Sequence, residues 1–89
     1  MERSELLKEL KSMIGEYLTD TDKLKLANIT EDSDLLKDIN MDSIDMIDVV
    51  IKVENKYGIV IKNETIAGLN TAGKWLDLIE DALIEKEQP

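Results

Sequence analysis

Ser43 lies in the run Asn40-Met41-Asp42-Ser43-Ile44-Asp45, at the start of an apolar-periodic stretch, and its hydroxyl is a candidate nucleophile. A serine hydroxyl attacks only when a base takes its proton, and histidine is the usual base. The chain has no histidine and no cysteine, which excludes a Ser-His-Asp arrangement, a cysteine nucleophile and a typical zinc or iron site. Glycines at 15, 58, 68 and 73 are too scattered for a phosphate-cradling loop. Asp38, Asn40 and Asp42 have the spacing that opens a calcium loop. Its sixth position would be Ser43 rather than glycine and its twelfth Val49 rather than glutamate, so no metal site is expected. Paired carboxylates could do acid-base work, but a small helical bundle has little room for a deep pocket, and solvated acidic faces are the expectation.

The element that must position Ser43 is a helix. Asp42 is a favoured N-cap type, and Asp45 three residues later approximates a capping box, although aspartate reaches back less far than glutamate. The helix is expected to begin at Ser43, with Met46, Val49, Val50, Val53 and Tyr57 on one apolar stripe and Gly58 as its left-handed stop. A second set, Ile44, Ile47 and Ile51, has the same spacing but is displaced around the helix. A core needs one face, so the second set must lie in solvent or against the long first loop. We expect Ile47 to be partly covered. Ile44 and Ile51 would be exposed, as the apolar centre of a partner-binding surface rimmed by Asp42, Asp45, Asp48 and Glu54.

The rest of the chain reads as support. Ser4 can cap a first helix over residues 5–18, with Leu6, Leu7, Leu10, Met13, Ile14, Tyr17 and Leu18 on its apolar side. Gly15 within it implies either close packing or early fraying. From Thr19 to Met41 the periodicity fails. This long ordered loop should be pinned by Leu24, Leu26, Ile29, Leu35, Leu36 and Ile39, with a short helical turn over 34–38. Ile59-Val60-Ile61 has no second strand to pair with and reads as an extended connector. Asn63 can cap a brief helix over 64–69. Asn70 or Thr71 can cap the last helix, with Ala72, Trp75, Leu76, Ile79, Ala82 and Leu83 buried and residues 86–89 frayed. The fold class is therefore all-α: a small four-helix bundle, three longer helices and one short, with a long first loop.

Composition sets outer bounds. Eighty-nine residues make one domain, 1–89, and no apolar run approaches the roughly 20 residues that a membrane span needs. Without a signal segment or a cysteine, the cytoplasm is the expected location. With 20 acidic against 11 basic residues the formal net charge is −9, which argues against nucleic acid and for basic surfaces on protein partners.

The run from Asp38 to Asp48 resembles the phosphopantetheine attachment region of acyl carrier proteins. The resemblance covers most of the chain, since Ile14-Gly15-Glu16, Ile29-Thr30, Leu35-Leu36, Tyr57 and the Ile59/Ile61 connector follow in the same order. It implies that Ser43 accepts a 4'-phosphopantetheine arm from coenzyme A through a phosphopantetheinyl transferase. The arm's thiol would hold acyl groups as thioesters for partner enzymes with basic docking surfaces. The transferase would activate the serine, so no internal base is needed. A monomeric, free-standing carrier of fatty-acid or related lipid or polyketide biosynthesis is expected. An aminoacyl or peptidyl carrier, of a nonribosomal or D-alanylation-type pathway, would share these features; an unmodified acidic helical adaptor would share the fold alone. Three features depart from the family pattern: Asn40 where glycine is usual, Lys52 and Lys56 on a face usually more acidic, and a longer first loop.

Overall fold

The computed structural model describes residues 2–39 and 41–87. Six helices follow in order: α1 (Arg3–Gly15), α2 (Asp20–Leu26), α3 (Leu35–Asp38), α4 (Ser43–Tyr57), α5 (Asn63–Ile66) and α6 (Ala72–Glu87). The three long helices α1, α4 and α6 and the short α5 are those the periodicity predicts, and α2 and α3 lie within the long first connection.

α1 buries Leu6, Leu10, Met13 and Ile14 on one side. It begins earlier than expected, and Ser4 is not its cap: Glu2 holds the N-cap position without a side-chain hydrogen bond. Arg3 accounts for the early start. Its Nε reaches Glu31 at 2.7 Å and its Nη2 reaches Asp77 at 2.8 Å, and it also pairs with Glu80. Half-exposed pairs of this kind are worth about 0–1 kcal/mol each, but together they fix the first turn of α1 against the loop and α6. At its other end α1 stops at Gly15. The chain tightens through Tyr17 N to Ile14 O (3.0 Å) and Leu18 N to Gly15 O (3.3 Å), so the glycine marks early termination.

α2 is the element absent from the sequence reading. The Thr19 hydroxyl accepts from Asp22 N at 3.3 Å, with Asp20 and Asp22 in the first turn and Lys23 and Lys25 in the last, a distribution that suits the helix dipole. Leu26 is buried, but Leu24 is 76% exposed and Leu36 is also exposed, so neither is the anchor expected. The turn over 34–38 is present: Asp34 Oδ1 accepts from Leu36 N at 2.9 Å and Lys37 N at 3.1 Å, and Asp38 Oδ2 accepts from Asp34 N at 2.9 Å.

The loop is stitched to the start of α6. Asp34 and Thr71 form an isolated antiparallel bridge, Leu35 N donates to Asn70 O at 2.9 Å, and Gly73 N donates to Glu31 O at 2.8 Å. A Cβ at Gly73 would stand 3.0 Å from that carbonyl, so a larger residue there would push the loop back by a few tenths of an ångström. Thr71 caps α6 by accepting from Lys74 N at 3.3 Å. Asn63 does not cap α5, which starts at Asn63 with Lys62 before it. Lys86 and Glu87, expected to fray, belong to α6; Gln88 and Pro89 lie outside the described residues.

The core gathers Leu6, Leu10, Ile14, Val49, Val53, Trp75, Leu76 and Ile79, all fully buried. Trp75 Nε1 donates to Leu69 O at 3.1 Å, so its one polar atom is satisfied inside. The Ile59 to Ile61 connector is extended, with Ile59 and Ile61 buried and Val60 exposed between them.

Candidate functional site

Ser43 is the first residue of α4. Asp42 before it is extended (φ −98°, ψ 176°), and its Oδ1 accepts from Asp45 N at 2.8 Å. Asp45 Oδ2 accepts from Asp42 N at 3.5 Å, so the box closes, with its shorter reach-back side stretched. The regular ladder begins at Met46 N to Asp42 O (3.1 Å), which leaves the Ser43 and Ile44 amides ahead of it at the positive end of the helix.

The serine is held from below and open above. Ile39, Met41 and Met46 are buried around the turn, and Met41 N donates to Leu35 O at 3.4 Å, so α3 and the core fix the entry to α4. Asn40, expected to stand in for a turn glycine, lies outside the described residues. Ser43 is exposed, and among the described residues its hydroxyl makes no hydrogen bond. No group of three His, Cys, Asp or Glu side chains among the described residues could hold a metal ion.

Both faces of α4 are visible. Met46, Val49, Val50, Val53 and Tyr57 are buried, as the spacing predicts. The second stripe is exposed throughout: Ile44 69%, Ile47 49% and Ile51 50%. Ile47 is therefore as open as Ile51 rather than distinctly covered. Asp42 is exposed, and Asp45 and Asp48 are half-buried. Glu54 has a structural duty: its Oε2 accepts from Ile61 N at 2.9 Å, tying the connector to α4.

The two lysines that interrupt the acidic pattern face α1. Lys52 pairs with Glu16 and lies 5.5 Å from the centroid of the Tyr17 ring, and Lys56 Nζ is 3.4 Å from Glu9. Glu9 also accepts from the Tyr57 hydroxyl at 3.0 Å. Burial first, and then this carboxylate, push the Tyr57 phenol above its ordinary pKa. Sequence periodicity carried no signal for these pairings.

Ser43 is thus exposed at a capped helix start, and the family model that describes a phosphopantetheine attachment site matches residues 8–79. The chain belongs to the acyl carrier protein family. An acyl carrier protein of Coprothermobacter proteolyticus is 35% identical over 97% of this chain and 100% of its own length. A meromycolate extension acyl carrier protein of Mycobacterium leprae is 30% identical over 91% of this chain and 69% of its own. Among solved structures, the hexanoyl carrier of the actinorhodin polyketide synthase of Streptomyces coelicolor superposes with a TM-score of 0.76 at 28% identity, covering 88% of this chain and 90% of that one. The acyl carrier protein of Enterococcus faecalis shares the fold, with a TM-score of 0.73 at 24% identity over 92% of this chain and 99% of its own. As a family member this carrier works with phosphopantetheine. Among its described residues no helix is long and apolar enough to cross a membrane.

Proposed function

We propose that Ser43 is the residue that receives the arm, and that the protein is a single-domain, monomeric cytoplasmic shuttle with no catalysis of its own. In the loading step the Ser43 oxygen bonds to the phosphorus that carries pantetheine in coenzyme A. The adenosine bisphosphate portion leaves, and the serine proton passes to a base of the transferase. When attached, the arm supplies a thiol that holds cargo as a thioester. What carries the reading is the placement of Ser43: first residue of α4, exposed, with the Ser43 and Ile44 amides ahead of the helical ladder where a phosphodiester can meet them. Asp42 and Asp45 flank that position, so like charge keeps the phosphodiester from lying along the acidic side of the helix.

Partner enzymes then meet Ile44, Ile47 and Ile51 with basic residues set against Asp42, Asp45 and Asp48. Glu54, engaged with Ile61, contributes at the edge of that surface. The relatives named as acyl carrier proteins, one of them for meromycolate extension, support an acyl cargo over an aminoacyl one. The test is mass spectrometry after incubation with coenzyme A and a transferase. One phosphopantetheine is expected on the protein and none on Ser43→Ala, whose far-UV helical signal stays near that of the parent. Modification persisting in the alanine variant defeats the assignment.

A further inference from the structure

α1 and α2 enclose a shallow open groove of about 330 Å³ lined by Lys8, Lys11, Ser12, Lys23, Leu26 and Ala27. We propose that this groove is a second docking surface, specific for an acidic, partly apolar segment of a partner protein.

The distribution of positive charge points to it. Of the 11 basic residues, Arg3, Lys25, Lys52 and Lys56 hold carboxylates, and Lys86 holds a carbonyl. Among the described residues the other six, Lys8, Lys11, Lys23, Lys37, Lys62 and Lys74, make no ion pair. Three of those six line this one groove, and no carboxylate lines it. Three ammonium groups without a carboxylate among them give an incoming acidic segment complementary partners. The floor is apolar through Leu26 and Ala27, and Leu24, 76% exposed on the same two-turn helix, has no core to join. A segment that fits carries two or three carboxylates around an aliphatic residue.

Charge also selects the kind of partner. A nucleic acid or an anionic membrane spreads dense negative charge beyond the groove and meets the rest of a chain of net charge −9. A second copy of this chain brings the same −9 with it. A short protein segment presents its charge locally, within the screening length of about 8 Å at physiological salt. The groove is also separate from the arm. The side of α1 that meets α4 carries Glu9 and Glu16, paired with Lys56 and Lys52, whereas Lys8 and Lys11 face the α2 side. Neither Ser43 nor the α4 isoleucines line the groove.

The test uses the arm-bearing chain of residues 1–89 labelled with nitrogen-15. The probe is a synthetic amphipathic peptide in which glutamates flank one leucine stripe, and the control peptide carries lysine in place of each glutamate. Amide shifts confined to residues 8–12 and 23–27 are expected with the acidic peptide alone. Lys8→Glu with Lys23→Glu should weaken binding by about tenfold or more, and Lys8→Gln with Lys23→Gln by less. Lys62→Glu with Lys74→Glu, the same change in net charge at other surfaces, should leave binding near that of the parent. Equal weakening by both pairs of reversals, shifts that map elsewhere, or no binding overturns the proposal. Concentration-dependent shifts of the groove without peptide would make a second copy the occupant and overturn it as well.

Discussion

The Lys86 ammonium donates to the Tyr57 carbonyl at 3.0 Å, so the last turn of α6 caps the last turn of α4. Gly58 makes this contact possible. Its φ of +63° is the left-handed stop of α4, and a Cβ there would lie 2.6 Å from Lys86 Nζ. Gly58→Ala is therefore expected to cost about 1–2 kcal/mol from the backbone alone, and more because it displaces the lysine. Lys86→Ala should cost about 0.5–1 kcal/mol. Urea unfolding of both variants and of the double variant checks the coupling: the glycine substitution should cost less once Lys86 is gone.

Tyr57 makes the high-pH limit of stability specific. Its phenol is held above the ordinary value by burial and by Glu9, so the folded state binds that proton more tightly than the unfolded chain. The contribution is full below the unfolded pKa of about 10 and is lost as the pH rises above it toward the folded value. Tyr57→Phe should lower stability at neutral pH by about 0.5–1.5 kcal/mol. It should also flatten the fall in stability above pH ~10 relative to the parent. Melting temperatures of the two proteins at matched alkaline pH values measure the difference.

The long helices were legible because each repeats one apolar stripe over many residues, and the α4 start was legible because both residues of its capping box are local. α2 was hidden by its length: seven residues with Leu24 and Leu26 two apart look like alternation, and only Leu26 is buried. Lys86 and Arg3 were hidden for another reason. Their partners lie 29 residues away for Lys86 and 28 to 77 residues away for the Arg3 hydrogen bonds, and no local pattern encodes such a pairing. Ser43 stood out because the run from Asp38 to Asp48 resembles an attachment region, and its place at the start of α4 could be read from the local cap at Asp42; its exposure is a finding of the structure.

Cargo can be followed through Trp75, the single tryptophan. It is fully buried and holds Leu69 O, next to the exposed Ala67 and Gly68, in the region where a fatty chain could fold back against α4. A long acyl load should raise the melting temperature over the bare arm, since burial gives about 0.8 kcal/mol per methylene at best, and should shift the Trp75 emission. An aminoacyl load should do neither. Equal melting temperatures and unchanged emission for short and long acyl loads would place the cargo in solvent.

The open isoleucines of α4 bear on delivery. Ile44 is 69% exposed and Ile51 50%, whereas Met46 and Val50 on the same helix are buried. Truncating an exposed aliphatic side chain changes stability by about 0.5 kcal/mol or less, and truncating a buried one of this size costs about 2–5 kcal/mol. Ile44→Ala and Ile51→Ala should therefore unfold in urea near the parent midpoint, while Met46→Ala unfolds well below it. If these isoleucines are the apolar centre of the partner surface, both variants should slow turnover by the transferase or a synthase. Asp45→Lys and Asp48→Lys should slow association further, because their carboxylates steer a basic partner. Raising salt toward 1 M, where the screening length is about 3 Å, should shrink the difference between the parent and the two charge reversals and leave that between the parent and the isoleucine variants. Large stability losses in Ile44→Ala and Ile51→Ala with normal turnover per folded molecule would make the stripe part of the core and remove it from the partner surface.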